Sequence, residues 1–300
     1  MNTKNTFLRI IMFISSVAVI MTVMGCPVPQ PQNTPIQPKL ITEPITGGVY
    51  FLYVPTTYRK NKPAPVIVSC HGTDPFDVAA YQVGEWKWLA EQYGCILICP
   101  KLTSTDGIFG AGDIHQLLRD ERLIMTILGQ LHYVYNIDRR NIMMTGFSGG
   151  GFPVYFVGLR HPDVFSVVVA RNCNFNRHAV DGWYPPSALK TPIMVYYGQN
   201  DPLAIKVQSE AAISYLKSAG FIVETDVLPG SGHERHPEVA MQFWLRHWHG
   251  TPPRPKSPNT IEQYISKVGN YIDFEETSDA GNRNRKDSQA TSNFRSNRGG

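Results

Sequence analysis

Five residues, Gly146-Phe147-Ser148-Gly149-Gly150, narrow the folding problem more than any other part of the chain. The apolar run Asn141–Thr145 leads directly into them, and a helical stretch to about Leu159 follows at once. A serine between a strand and a helix in this pattern sits on a sharp turn with a strained backbone. Side chains two residues away would collide, hence glycine at 146 and 150. The turn lifts the serine Oγ above a sheet. It also aims the following helix N-terminus at negative charge developing there.

The rest of the chain supplies such a sheet. Short apolar runs rich in β-branched residues cover Val49–Val54, Ala64–Cys70, Cys95–Cys99, Val164–Ala170, Thr191–Tyr197 and Phe221–Leu228. Stretches with helical spacing lie between them: Tyr81–Tyr93, Ile114–Tyr135, Lys206–Ser218 and Pro237–Trp248. Continuous apolar strands alternating with amphipathic helices predict an α/β fold, a mostly parallel central sheet flanked by helices on both faces. Ligands of such sheets sit at the C-terminal strand ends. No internal repeat is evident.

A hydroxyl nucleophile needs a base, and the base needs an orienting group. Downstream of Ser148, the strand ending at Tyr197 opens into Gly198-Gln199-Asn200-Asp201-Pro202, which places Asp201 at a C-terminal strand end. Further on, Gly230-Ser231-Gly232-His233-Glu234-Arg235-His236-Pro237 offers two histidines. Pro237 suits the first position of the last helix and restrains His236 beside it. His233 stands in the looser Gly-Ser-Gly loop and is assigned the base. No third ligand accompanies the pair, so no metal is expected. Stabilisation of an oxyanion is assigned to the backbone N–H of Gly149 and to that of Thr73, with Gly72 as the other option in His71-Gly72-Thr73. His71 itself reads as structural. The loop 171–189 carries Trp183 and Tyr184, candidates for an aromatic substrate pocket or for ordinary packing.

These elements resemble the α/β-hydrolase superfamily. The likeness runs from about residue 47 to 249. It rests on HGT after the first buried strand, YNIDRRNIMMTGFSGGG at the nucleophile, YYGQNDP at the acid and GSGHERHPE at the base. The chain is similar to polyhydroxybutyrate-depolymerase-like and feruloyl-esterase-like secreted esterases, and to bacterial predicted peptidases. The resemblance implies a serine hydrolase acting on a small or polymeric carboxylic ester, with no cofactor. A peptidase or amidase with the same triad, or a non-catalytic lipoprotein used as a binding module, are the alternatives.

The ends of the chain have a different character. Lys4 and Arg9 precede an apolar run from Ile10 to Met24 that is too short to span a bilayer but suits a signal peptide. It closes on Val23-Met24-Gly25-Cys26, resembling a lipobox with Cys26 as the lipidated residue. An uncleaved anchor and ordinary cleavage are the other options. Five prolines at 27, 29, 31, 35 and 38 favour an extended spacer. The expected organisation is a signal segment over 1–25, a Pro-rich tether over 26–42, the hydrolase domain over 43–274 and a disordered basic tail over 275–300. An exported protein anchored on the periplasmic or cell-surface side follows. The formal net charge of +4 equals that of residues 281–300, which hold five cations and one anion. The remainder is balanced, which argues against nucleic acid as a partner. Cys95 and Cys99 are too far apart along one strand to pair, whereas Cys70 with Cys99 stays open, buried free thiols being the alternative.

Overall fold

The computed structural model describes residues 37–106 and 112–253. The signal segment, most of the tether and the basic tail lie outside the described residues. An eight-stranded sheet with the order β1-β2-β4-β3-β5-β6-β7-β8 organises the domain. Its strands are β1 (Lys39–Thr42), β2 (Val49–Tyr53), β3 (Ala64–Cys70), β4 (Ile96–Pro100), β5 (Ile137–Phe147), β6 (Val167–Arg171), β7 (Ile193–Gly198) and β8 (Val223–Leu228). The strands β1 and β2 run antiparallel, and every pairing from β4 through β8 is parallel.

The helices are α1 (Ala79–Tyr93), α2 (Ile114–Val134), α3 (Gly151–Arg160), the short α4 (Arg177–Val180), α5 (Leu203–Ser218) and α6 (Pro237–Arg246). One face of the sheet buries Ile67, Leu97, Met143, Val167 and Val169 against Val83, Trp86 and Ala90 of α1 and Met241 and Trp244 of α6. The alternate residues point the other way, so that Met144 and Val168 pack on Gly158 of α3. Helix α1 stops at Gly94, whose φ of 73° lets its N–H bond back to the Ala90 carbonyl. Helix α2 starts at Asp113, whose carboxylate accepts the N–H groups of His115 and Gln116.

Two boundaries differ from the sequence reading. Lys39–Thr42 is an edge strand of the sheet, not tether, so the folded domain starts before residue 43. Its four residues are largely exposed and carry no buried pattern to read. The turn after it is held by Glu43, whose carboxylate accepts from the N–H groups of Ile45 and Thr46 and from Gln130 of α2. Strand β5 extends six residues beyond the predicted run, from Ile137 to Phe147.

The register also answers the cysteine question. Val68 of β3 lies opposite Ile98 of β4, so Ser69 aligns with Cys99 and Cys70 points to the opposite face. Cys70, Cys95, Cys99 and Cys173 are free and buried. Burial pushes the Cys173 thiol up to about 12, which leaves it unreactive at neutral pH.

Candidate active site

Ser148 follows the C-terminal end of β5 at φ 53°, one of two non-glycine residues with a left-handed backbone among those described. Its carbonyl accepts from the Asn174 N–H at 2.9 Å and from the Gly151 N–H, which pins the turn from both sides. The flanking glycines are required by close approach. A Cβ on Gly146 would lie 2.7 Å from a Val154 methyl carbon and 2.8 Å from the Gly150 carbonyl oxygen. One on Gly150 would lie 2.6 Å from the carbonyl oxygens of both Cys70 and His71. Gly150 therefore lets the nucleophile turn press against the end of β3, where the second candidate oxyanion donor begins.

Asp201 follows β7, and its carboxylate is fully buried. Oδ1 lies 2.7 Å from Nδ1 of His233. Oδ2 accepts from Nδ2 of Asn172 at 2.5 Å and from the Gly198 N–H at 3.2 Å. An ionised carboxylate only accepts, so Nδ1 of His233 carries the proton and Nε2 keeps its lone pair. Phe147, immediately before Ser148, packs on the His233 ring with centroids 4.6 Å apart. The histidine loop rests on the end of β7, where the Asn200 N–H donates to the Ser231 carbonyl at 2.8 Å.

His236 is occupied elsewhere. Its Nε2 lies 2.8 Å from Ser231 Oγ and its Nδ1 3.2 Å from Glu238 Oε1, while its carbonyl accepts from Tyr196 Oη at 2.6 Å. One ring nitrogen thus braces the loop at Ser231 and the other the first turn of α6. Asp201 is brought together with His233 and not with His236.

The oxyanion candidates separate in the same way. The Gly72 N–H donates to Asp77 Oδ2 at 2.6 Å, so it is not available to a substrate. Thr73 is the better placed: a Cβ on Gly149 would lie 3.0 Å from its backbone nitrogen and 2.6 Å from its Oγ1. The Gly149 amide belongs to a first helical turn, whose N–H groups lack partners inside the helix. His71 helps to aim the Thr73 amide. Its Nε2 accepts from the Leu102 N–H at 2.9 Å, which puts the proton on Nδ1, 2.9 Å from the Gly72 carbonyl. Because the Gly72–Thr73 peptide is trans, holding its carbonyl on one side directs its N–H to the other.

Trp183 and Tyr184 do not overhang this site. Trp183 packs on Phe156 and Arg160 at the far end of α3, and Tyr184 packs on Phe221 just before β8. Arg160 is nine residues beyond Gly151, roughly 13 Å along the helix, toward the N-terminal ends of the strands. Tyr184 is a packing residue there, and Trp183 lies partly exposed against α3. Sequence reasoning also passed over Asn172, whose signal was a polar residue directly after the apolar β6 at the functional edge of the sheet.

A ferulic acid esterase from Anaeromyces mucronatus, solved with ferulic acid, shares this architecture with a TM-score of 0.55 at 15% identity, over 69% of this chain and 88% of that one. The chain has the α/β-hydrolase fold. Residues 112–249 match the family described as phospholipase/carboxylesterase. A bifunctional acetylxylan esterase/xylanase from Neocallimastix patriciarum is 29% identical over 36% of the chain and 15% of its own length. Dipeptidyl-peptidase 5 of Porphyromonas gingivalis is 26% identical over 67% of the chain and 36% of its own length. The chain thus spans only a minor part of these two relatives.

Proposed function

We propose that this α/β-hydrolase is a serine esterase that cleaves carboxylic esters through an acyl-enzyme. The observation that carries the reading is the 2.7 Å pairing of His233 Nδ1 with buried Asp201, beside a serine held at φ 53°. Ser148 Oγ attacks the ester carbonyl carbon as His233 Nε2 takes its proton. The Gly149 and Thr73 N–H groups stabilise the tetrahedral oxyanion. His233 returns the proton to the departing alcohol, and water then releases the acid by the same steps in reverse. Asp201 fixes the tautomer and stabilises the imidazolium. The cycle calls for no metal or organic cofactor. Small or polymeric esters are the substrates this reading implies, at a site carried by an exported, lipid-anchored protein.

The test is covalent labelling by a fluorophosphonate together with hydrolysis of p-nitrophenyl esters of varied chain length and methyl ferulate. Ser148→Ala and His233→Ala should each lower kcat roughly 10³–10⁶-fold, and Asp201→Asn on the order of 10⁴-fold. His236→Ala should cost far less, because Asp201 pairs with His233 and the His236 ring braces Ser231 and the start of α6. Loss of turnover in a folded His236→Ala protein with His233→Ala nearly intact would reverse the assignment. The similarity to a dipeptidyl-peptidase favours a second reading, amide cleavage by the same groups, and aminoacyl anilides in the same panel decide between them.

A further inference from the structure

Behind the site lies a charge-balanced cluster of Arg171, Glu85, Arg235 and Asp77. Arg171 at the end of β6 is fully buried. It pairs with Glu85 of α1 and donates from Nε to Thr145 Oγ1 at 3.0 Å. The other Glu85 oxygen accepts from Arg235 Nη1 at 2.9 Å, and Arg235 Nη2 donates to Asp77 Oδ1 at 2.7 Å. Asp77 Oδ2 in turn accepts from the Gly72 N–H at 2.6 Å and from Gln82 at 2.9 Å. The Arg235 guanidinium also lies 4.6 Å from the centre of the Phe147 ring, the ring that packs on His233.

Arg235 therefore touches three pieces of the site at one remove. It stands two residues after His233, contacts the residue before Ser148, and holds the carboxylate that holds the amide preceding Thr73. Glu85 already has Arg171 as a partner, whereas Asp77 has Arg235 as its cation among the described residues. The forked guanidinium bridges two carboxylates at once, a geometry that an ammonium does not reproduce. Of the four side chains Arg235 is the most exposed, at 30%, and its replacement leaves the Asp77 carboxylate with its Gly72 N–H and Gln82 donors.

We infer that Arg235 is a positioning residue for the hydrolysis proposed above, on which this inference rests. It ties the loop that carries His233 to the loop that carries the Thr73 amide, so that base and oxyanion donor keep a fixed spacing across Ser148. A misplacement of either by about 1 Å costs on the order of 10²-fold in rate.

The experiment compares Arg235→Met, which keeps the packing on Phe147, with Arg235→Lys, on p-nitrophenyl acetate, with melting temperature and near-UV circular dichroism recorded alongside. Arg235→Met should lower kcat roughly 10–10²-fold while KM stays within about threefold. Arg235→Lys should fall between this and wild type. Methylguanidinium should restore part of the lost kcat in Arg235→Met, saturably, with no effect on wild type. An Arg235→Met kcat within about twofold of wild type overturns the inference. So does a loss that methylguanidinium does not relieve and that tracks the folded fraction. If Arg235→Met does not fold, Arg235→Lys decides alone: a lowered kcat at near-normal KM supports the role and an unchanged kcat overturns it. A wild-type protein without Ser148-dependent turnover overturns the esterase reading and this inference together. Turnover that requires Ser148 but is indifferent to Arg235 overturns this inference only.

Discussion

Asn172 is buried at φ 52°, a backbone region that costs most residues other than glycine roughly 1–2 kcal/mol. Its N–H donates to the Tyr196 carbonyl at 2.8 Å, its Nδ2 reaches Asp201 and the Gly232 carbonyl, and its Oδ1 has no partner among the described residues. Strain and an unpaired acceptor are tolerated where a donor must meet the acid. Two substitutions separate these effects. Asn172→Gly and Asn172→Ala both remove the donor, so both should lower kcat by a similar factor, about 10-fold. They should differ in stability by about 1 kcal/mol in favour of glycine, because only alanine pays for the left-handed backbone. Urea midpoints and kcat on one ester check both halves, and an alanine variant as stable as the glycine one would remove the strain argument. The turn at Ser148 and the pairing of Asp201 with His233 were legible in the sequence because local spacing marks them: a glycine-flanked turn, a strand end, a loop before Pro237. The contacts of Asn172 with Asp201 and of Arg235 with Asp77 were not, because these partners lie 29 and 158 residues away and no local pattern encodes such a pairing.

At the scale of elements, α2 is tied to α3 through Glu121. Its Oε1 accepts from Arg160 Nε at 2.7 Å and lies 2.7 Å from His161 Nε2. Burial pushes this carboxyl up, but the hydrogen bonds and charges of His161 and Arg160 outweigh it and hold the group below its ordinary 4.5. A carboxyl with a lower pKa in the folded state stabilises the fold above its unfolded value. That contribution disappears as pH falls through the folded value. Glu121→Gln should therefore be less stable than wild type by about 1–2 kcal/mol at neutral pH. The difference should shrink below pH 4.5 and be lost once the wild-type carboxylate is protonated. Urea melts of both proteins at neutral and strongly acidic pH read this out, and a gap that persists in acid would show that shape, not charge, carries it. The central strands and the long helices were readable because burial on both faces, or on one stripe, leaves a periodic trace. The short β1 leaves none. Trp183 and Tyr184 misled because a loop leaving the functional end of β6 was assumed to stay there, whereas it descends along α3 to the other end of the sheet.

Over the whole molecule, charge and tether bear on where the site can act. Removing residues 281–300 takes away five cations and one anion, and with them the entire net charge of +4, so the rest of the chain is balanced. A neutral domain gains little from anionic membrane surfaces, and its attachment would rest on the lipid proposed at Cys26. Twelve residues separate Cys26 from Lys39, where β1 begins, a path of thirteen residue steps. At full extension they span at most about 45 Å, which bounds how far the sheet edge can stand from the bilayer. The groups proposed to act with Ser148 (Asp201, His233, Gly149 and Thr73) all lie outside that segment. Cys26→Ser should thus move the protein from the membrane fraction to the soluble one, or block its processing. The same substitution should leave kcat on a water-soluble ester unchanged. Intact-mass measurement of the protein purified from membranes should show acyl chains on a mature N-terminus at Cys26. An unmodified N-terminus there, or a Cys26→Ser protein that remains membrane-bound after normal processing, would remove the lipid anchor. The site would then belong to a protein held at the membrane by its apolar N-terminal run or released from it altogether.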